Sequence, residues 1–162
     1  MFLYPSQSED KKAHNLYKGY DVGFGGFVWA NPGMYGPTVT LDVSGLHPAT
    51  IRQLQCLGEE GTRRFGDIVD ARLAIKHKDF ATARTMLDGK LAPFLEDESQ
   101  AKMLAGALKI AVNSVYGLTS ARFDNPFRDP RNVNNIVALR GALFMVDLKE
   151  KVEAMGGKVI HI

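Results

Sequence analysis

The hydrophobic period of this chain changes once, near Ile51, and that change bounds the fold more tightly than any other feature. Before it, Gly and Pro punctuate short apolar runs. Within GFGGFVWANPGMYGPTVTLDVSGLHP, the runs Phe27–Trp29 and Thr38–Val43 predict strands, with a turn at Asn31-Pro32-Gly33. After it, apolar residues recur at helical spacing. A short helix is expected over Pro48–Leu57, then a polar break at GEEGTRR, then a long helix over Gly66–Leu87 that ends at Asp88-Gly89. Pro93 prevents helix in the next connector, and Asp97 or Ser99 caps a second long helix that runs to about Tyr116 and stops at Gly117. The loop ARFDNPFRDPRN leads to a third helix over Asn132–Met155, closed by Gly156-Gly157, and Lys158–Ile162 alternates like the start of a strand. Short strands followed by long helices predict an α+β fold.

Composition narrows the class. The 162 residues are 45% hydrophobic and 23% charged, enough for a core of single-domain size. No stretch approaches the roughly 20 apolar residues of a membrane span. The opening MFLYPSQSEDKKAHN turns polar too soon for a signal peptide, and residues 1–20 read as a polar segment that is partly disordered or a severed connection. Cys56 is the one cysteine, which excludes an internal disulfide and predicts a reducing, cytoplasmic setting. A net charge of +2 with a pI near 8.7 falls short of the dense positive stripe of an autonomous DNA-binding domain. His14, His77 and His161 have no metal-ligand spacing.

Charges on the long helices carry more information. Arg72 and Lys76 share a face at i, i+4, as do Lys109 and Asn113, with Tyr116 and Gly117 a turn further on. Lys76 lies 12 residues before Asp88 and Lys109 lies 12 after Asp97. At 1.5 Å per residue each is ~18 Å from the turn, so an antiparallel hairpin sets them level. Three cations and an amide then converge, which suits a triphosphate whose charge must be neutralised as it reacts. Lys78, Arg84 and Lys102 read as ordinary surface charges.

The run Lys109-Ile-Ala-Val-Asn113-Ser114-Val-Tyr116-Gly117 resembles the K-x-x-x-N-S-x-Y-G motif on the second fingers helix of family B DNA polymerases. Asp42-Val43-Ser44-Gly45-Leu46-His47-Pro48 is similar to that family's first motif, roughly D-x-x-S-L-Y-P at the end of a palm strand. Gly45 stands in place of a small hydroxyl residue and His47 in place of Tyr. The segment Gly25-Gly26-Phe27-Val28 through Pro32-Gly33-Met34-Tyr35 looks like the glycine pair leading into that strand, so the resemblance covers about residues 25–162, with phage-type members most similar.

The resemblance implies a partial palm, with a small antiparallel sheet carrying Asp42, and a protruding two-helix fingers hairpin. It divides the chain into a polar segment 1–24, palm 25–65, fingers 66–117 and palm 118–162. Asp42 and the Val43 carbonyl would bind two Mg²⁺ ions. Backbone amides of Gly45, Leu46 and His47 would contact the triphosphate, His47 would exclude a ribose 2′-hydroxyl, and Arg72, Lys76, Lys109 and Asn113 would hold the phosphate oxygens. Tyr116 and Gly117 would pack against the nascent base pair. The implied activity is template-dependent deoxynucleotidyl transfer, with primer-template DNA and deoxynucleoside triphosphates as partners, in the cytoplasm of an infected bacterium for a phage protein. Lys158-Val-Ile-His-Ile matches the approach to the strand that carries the family's D-T-D-S acids and stops before them. The chain is therefore expected to be inactive alone, as a fragment or as one piece of a split polymerase whose remaining segment carries the third motif and thumb. The competing reading is a non-catalytic DNA-binding or assembly subunit.

Overall fold

The structure, a computed structural model, describes residues 16–22, 25–133 and 135–162. Its elements are a two-stranded antiparallel hairpin, β1 (Leu16–Tyr17) and β2 (Tyr20–Asp21), and six helices: α1 (Leu46–Leu54), α2 (Gly58–Lys76), α3 (Phe80–Thr85), α4 (Glu98–Ser120), α5 (Pro130–Val133) and α6 (Ile136–Ala154). The fold is α+β. It divides into two compact units, one formed by residues 1–50 with 131–162 and the other by residues 51–130. The boundaries fall inside α1 and α5, at 50/51 and 130/131.

In the discontinuous unit, α6 buries Val137, Ala138, Leu139, Gly141, Ala142 and Val146. The β1–β2 turn uses Lys18 (φ 52°) and Gly19 (φ 82°), both left-handed as a twist-matched two-residue hairpin requires. Tyr17, Tyr20, Val22, Phe27 and Trp29 join Ala142 and Val146 in one apolar cluster. The Tyr17 hydroxyl donates to Asp147 at 3.0 Å. Buried Lys149 donates to the Tyr20 hydroxyl at 2.9 Å and to Glu153 at 2.7 Å, with its Nζ 4.4 Å from the centre of the Trp29 ring. Burial works against that charge, but the bonds to Glu153 and Tyr20 outweigh it and hold the pKa above the usual lysine value.

The predicted strand at Phe27–Trp29 and the one beginning at Lys158 do meet. Trp29 and Ile162 exchange backbone hydrogen bonds at 2.9 and 3.4 Å, and Asn31 N–H donates to the Ile160 carbonyl at 2.9 Å. The predicted strand Thr38–Val43 does not form a ladder among the described residues: Val39 is 86% exposed and Leu41 63%. The sheet expected to carry Asp42 is therefore corrected. The described hairpin lies at Leu16–Asp21, within the segment read as polar and partly disordered. β-propensity expresses packing against neighbouring strands, and a β-branched run without a ladder partner remains merely extended.

The other unit is helical throughout. GEEGTRR, expected as a break, forms the first turns of α2, because Glu60 pairs with Arg63 (2.8 Å) and Arg64 (2.7 Å), and Arg63 with Asp67 (3.4 Å), at helical spacing. The helix also ends early, at Lys76 instead of Leu87. Lys78 turns left-handed (φ 61°), and Asp79 caps α3 by accepting from Thr82 N–H at 3.1 Å. Asp97 caps α4, accepting from Gln100 N–H at 3.0 Å. That helix runs past Gly117 to Ser120, because its last carbonyls find partners: Leu118 accepts from the Asn125 amide at 3.1 Å and Thr119 from Asp129 N–H at 3.0 Å. The predicted third helix is split into α5 and α6 by Asn135, at φ 62°. Ala71, Ile75, Ala83, Leu91, Leu95 and Ala101 make the core of this unit, joined by Leu104, Ala105 and Leu108.

Candidate functional site

α2 and α4 run antiparallel. Lys78, just past the end of α2, pairs with Glu98 at the start of α4, while Arg72, further back in α2, shares a groove with Lys109, further on in α4. The groove measures about 350 Å³, and its floor is apolar, with Ile75, Ala101 and Ala105. Arg72, Lys76 and Lys109 line it together, as the helix spacing predicts, and so do Lys78 and Lys102.

Their register differs from the expected one. Taking the Lys78–Glu98 pair as level, Lys76 and Lys109 are offset by ~14 Å along the helices, whereas Arg72 and Lys109 are offset by only ~8 Å. The expectation of level Lys76 and Lys109 rested on a helix ending near Asp88; with the end at Lys76 the register moves. Lys78 is neutralised by Glu98, whose carboxylate raises the lysine pKa. Arg72, Lys76, Lys102 and Lys109 have no ion-pair partner among the described residues. Cations gathered over an apolar floor in this way attract an anion, and an elongated one can touch several of them.

Asn113 and Gly117 are exposed on α4 and do not line the groove; Tyr116 is half-buried, and burial raises its phenol pKa. A Cβ at Gly117 would meet nothing within 4 Å. No packing inside the described chain calls for glycine there.

The first-motif residues belong to the other unit. Asp42 is exposed on the extended segment before α1, and Val43 is partly buried. Gly45 has φ +70°, and its carbonyl accepts from Ala49 N–H at 2.9 Å as α1 begins. The left-handed conformation explains glycine where the family's pattern has a hydroxyl residue. Leu46 and His47 occupy the first turn of α1, whose amides have no intrahelical acceptor. His47 is exposed, and the desolvation it does have lowers its pKa.

The metal assignment was tested on these residues. Among the described residues no three His, Cys, Asp or Glu side chains gather as a metal site. One carboxylate with one carbonyl can share a single Mg²⁺ with substrate phosphates and water, but it does not fit a two-ion arrangement by itself.

Beside Asp42, Val39 and Leu41 help to line a groove of about 440 Å³ with Leu148, Val152, Val159 and Ile160. No helix among the described residues is long and apolar enough to cross a membrane. Sequence reasoning missed Lys102 as a groove residue, although its spacing of seven from Lys109 places both on one helix face. No protein-family model, no curated protein and no solved structure matches the chain.

Proposed function

We propose that this chain is a nucleotide-binding core segment of a family B DNA polymerase, contributing to template-dependent deoxynucleotidyl transfer. The observation that carries the reading is the convergence of Arg72, Lys76 and Lys109 on one groove between antiparallel helices. In this reading the groove holds the triphosphate of an incoming deoxynucleotide, with Asn113 one turn beyond. Tyr116 and Gly117 face the nascent base pair, and the open space at Gly117 supports close approach by a base. Asp42, with Val43, contributes one carboxylate and one carbonyl to Mg²⁺ binding. His47, flat and compact, selects against a ribose 2′-hydroxyl, while the amides around Gly45 and Leu46 meet phosphate oxygens. Primer-template DNA, deoxynucleotides and a further polymerase segment carrying the remaining acids are the partners of the working enzyme.

Calorimetric titration of the full chain with a deoxynucleoside triphosphate at low salt tests this. Wild type should bind, and Lys109→Ala and Arg72→Ala should each weaken binding about tenfold, the value of one charge-assisted hydrogen bond near 1.4 kcal/mol. Lys151→Ala, exposed on α6 in the other unit, should change nothing. No measurable binding by wild type, or equal losses at Lys151 and Lys109, would remove the reading. The competing reading, a DNA-binding or assembly subunit without chemistry, would then hold if duplex DNA still bound.

A further inference from the structure

We infer that Lys102 is a phosphate-contacting residue of the groove and that, with Arg72 and Lys76, it forms one station opposite Lys109, so that the site is selective for phosphate chains of three. This inference rests on the proposed triphosphate site and extends it to chain length.

The geometry starts from the Lys78–Glu98 pair, which fixes the register of α2 against α4. Lys76 precedes Lys78 by two residues and Lys102 follows Glu98 by four, so the two are offset by only ~3 Å along the helices. Lys102 and Lys109 lie seven residues apart on one face of α4, separated by ~10 Å of helix rise. Gly106 lies between them in the groove lining, and a Cβ there would meet nothing within 4 Å. Its lack of a side chain leaves the path between the two lysines open. By the same register Arg72 is also only ~3 Å from Lys102, so Arg72, Lys76 and Lys102 gather at one end of the groove, and Lys109 stands ~8 Å beyond Arg72 at the other.

A single phosphate is too short to meet both the cluster and Lys109, whereas a linear chain of three can extend from one towards the other. Lys78 does not compete for the anion, since Glu98 already holds it. The apolar lining of Ile75, Ala101 and Ala105 offers an anion no polar partner between the two ends. The ligand class is a nucleoside triphosphate or inorganic triphosphate, whose shared chemistry is the polyanionic chain.

The experiment titrates the full chain with inorganic phosphate, pyrophosphate, inorganic triphosphate and a deoxynucleoside triphosphate, in metal-free, low-salt buffer. Wild type should bind both triphosphates more tightly than pyrophosphate, and phosphate least. Lys102→Ala should lose roughly five- to tenfold in affinity for pyrophosphate and triphosphate alike, and Lys102→Arg should restore it. Lys109→Ala should weaken triphosphate with little change for pyrophosphate. If wild type and Lys109→Ala behave so but Lys102→Ala binds triphosphate like wild type, Lys102 has no part in the site and the chain-length inference falls alone. If wild type binds none of the four anions, the proposed triphosphate site falls with it. Equal affinity for both triphosphates assigns the selectivity to the phosphate chain. Tighter binding of the nucleotide alone, with inorganic triphosphate no better than pyrophosphate, overturns the inference.

Discussion

Replacing Gly117 by alanine should stabilise this protein while impairing the function proposed for it. Gly117 lies within α4, outside the left-handed φ region, and a Cβ added there meets nothing within 4 Å. Alanine loses less chain entropy than glycine on entering a helix, a difference of about 0.8–1.0 kcal/mol in a helix interior. Gly117 is near the end of α4, where the gain falls below that of an interior position: roughly 0.5–0.8 kcal/mol of added stability, or about 1–3 °C in Tm for a chain of this length. Two glycines serve as opposite controls. A Cβ at Gly157 would sit 2.8 Å from Val152 Cγ1 and 3.0 Å from the Val152 carbonyl oxygen, and Gly45 holds φ +70°, so alanine should destabilise at both. Urea unfolding followed by far-UV circular dichroism reads all three. In a reconstituted enzyme the same Gly117→Ala should slow deoxynucleotide incorporation, because the methyl fills space that the nascent base pair would occupy. A loss of stability at Gly117 as large as at Gly157 would refute the reasoning, since glycine there would then serve internal packing and owe nothing to a ligand.

Three further outcomes are expected. The purified chain with Mg²⁺, primer-template and all four deoxynucleotides should give no primer extension, because Asp42 is the single carboxylate assigned to the metals; robust extension would contradict that account. Glu60 is held down to about 2 by hydrogen bonds from Arg63 and Arg64. Its folded-state pKa lies below its ordinary value, so its contribution to α2 is complete above about pH 4.5 and is lost as pH falls towards 2. Helicity monitored by circular dichroism should fall in that window, and Glu60→Gln should flatten this part of the profile; an unchanged acid profile would show that the pairs do not support the helix. In a reconstituted enzyme, His47→Ala should raise ribonucleotide incorporation far more than it lowers deoxynucleotide incorporation, and His47→Tyr should keep or tighten discrimination; an unchanged ribo/deoxy ratio makes His47 merely structural.

The helix-forming regions could be read from the sequence because their signals are local. Asp97 is a cap visible three residues before Gln100, and Gly156 ends α6 with φ +86°, as glycine after a helix usually does. Helix interruptions were harder to see because they fall on residues with no intrinsic bias towards them. Lys78 and Asn135 both turn left-handed, and only their surroundings hold them there. The Asp79 cap was nevertheless written in Asp79-Phe-Ala-Thr82. The β1–β2 hairpin also had a signal, two tyrosines flanking Lys18-Gly19, which a two-residue turn accounts for. Thr38–Val43 failed for a different reason. A strand is a relation between two segments, and the alternation of one segment cannot supply the other's hydrogen bonds.

The same distinction separates the charges of the helical unit. By spacing alone, Lys78, Arg84 and Lys102 are equivalent to Arg72, Lys76 and Lys109, and the sequence treats the first three as surface residues together. The structure separates them by what each already touches. Lys78 is held by Glu98, and Arg84 donates to the Leu95 carbonyl at 2.9 Å, tying α3 to the connector that precedes α4. Both charges are committed to the fold. Lys102 has no such partner among the described residues and lies on the groove face of α4 in line with Lys109. An unpaired cation held near like charges raises the energy of the empty site, and an arriving polyanion relieves that repulsion as it binds. Partnership with the rest of the chain, more than position along a helix, therefore decides which charge remains available to a ligand. For this reason Lys102→Ala should have a larger effect on anion binding than Arg84→Ala, and Arg84→Ala the larger effect on stability.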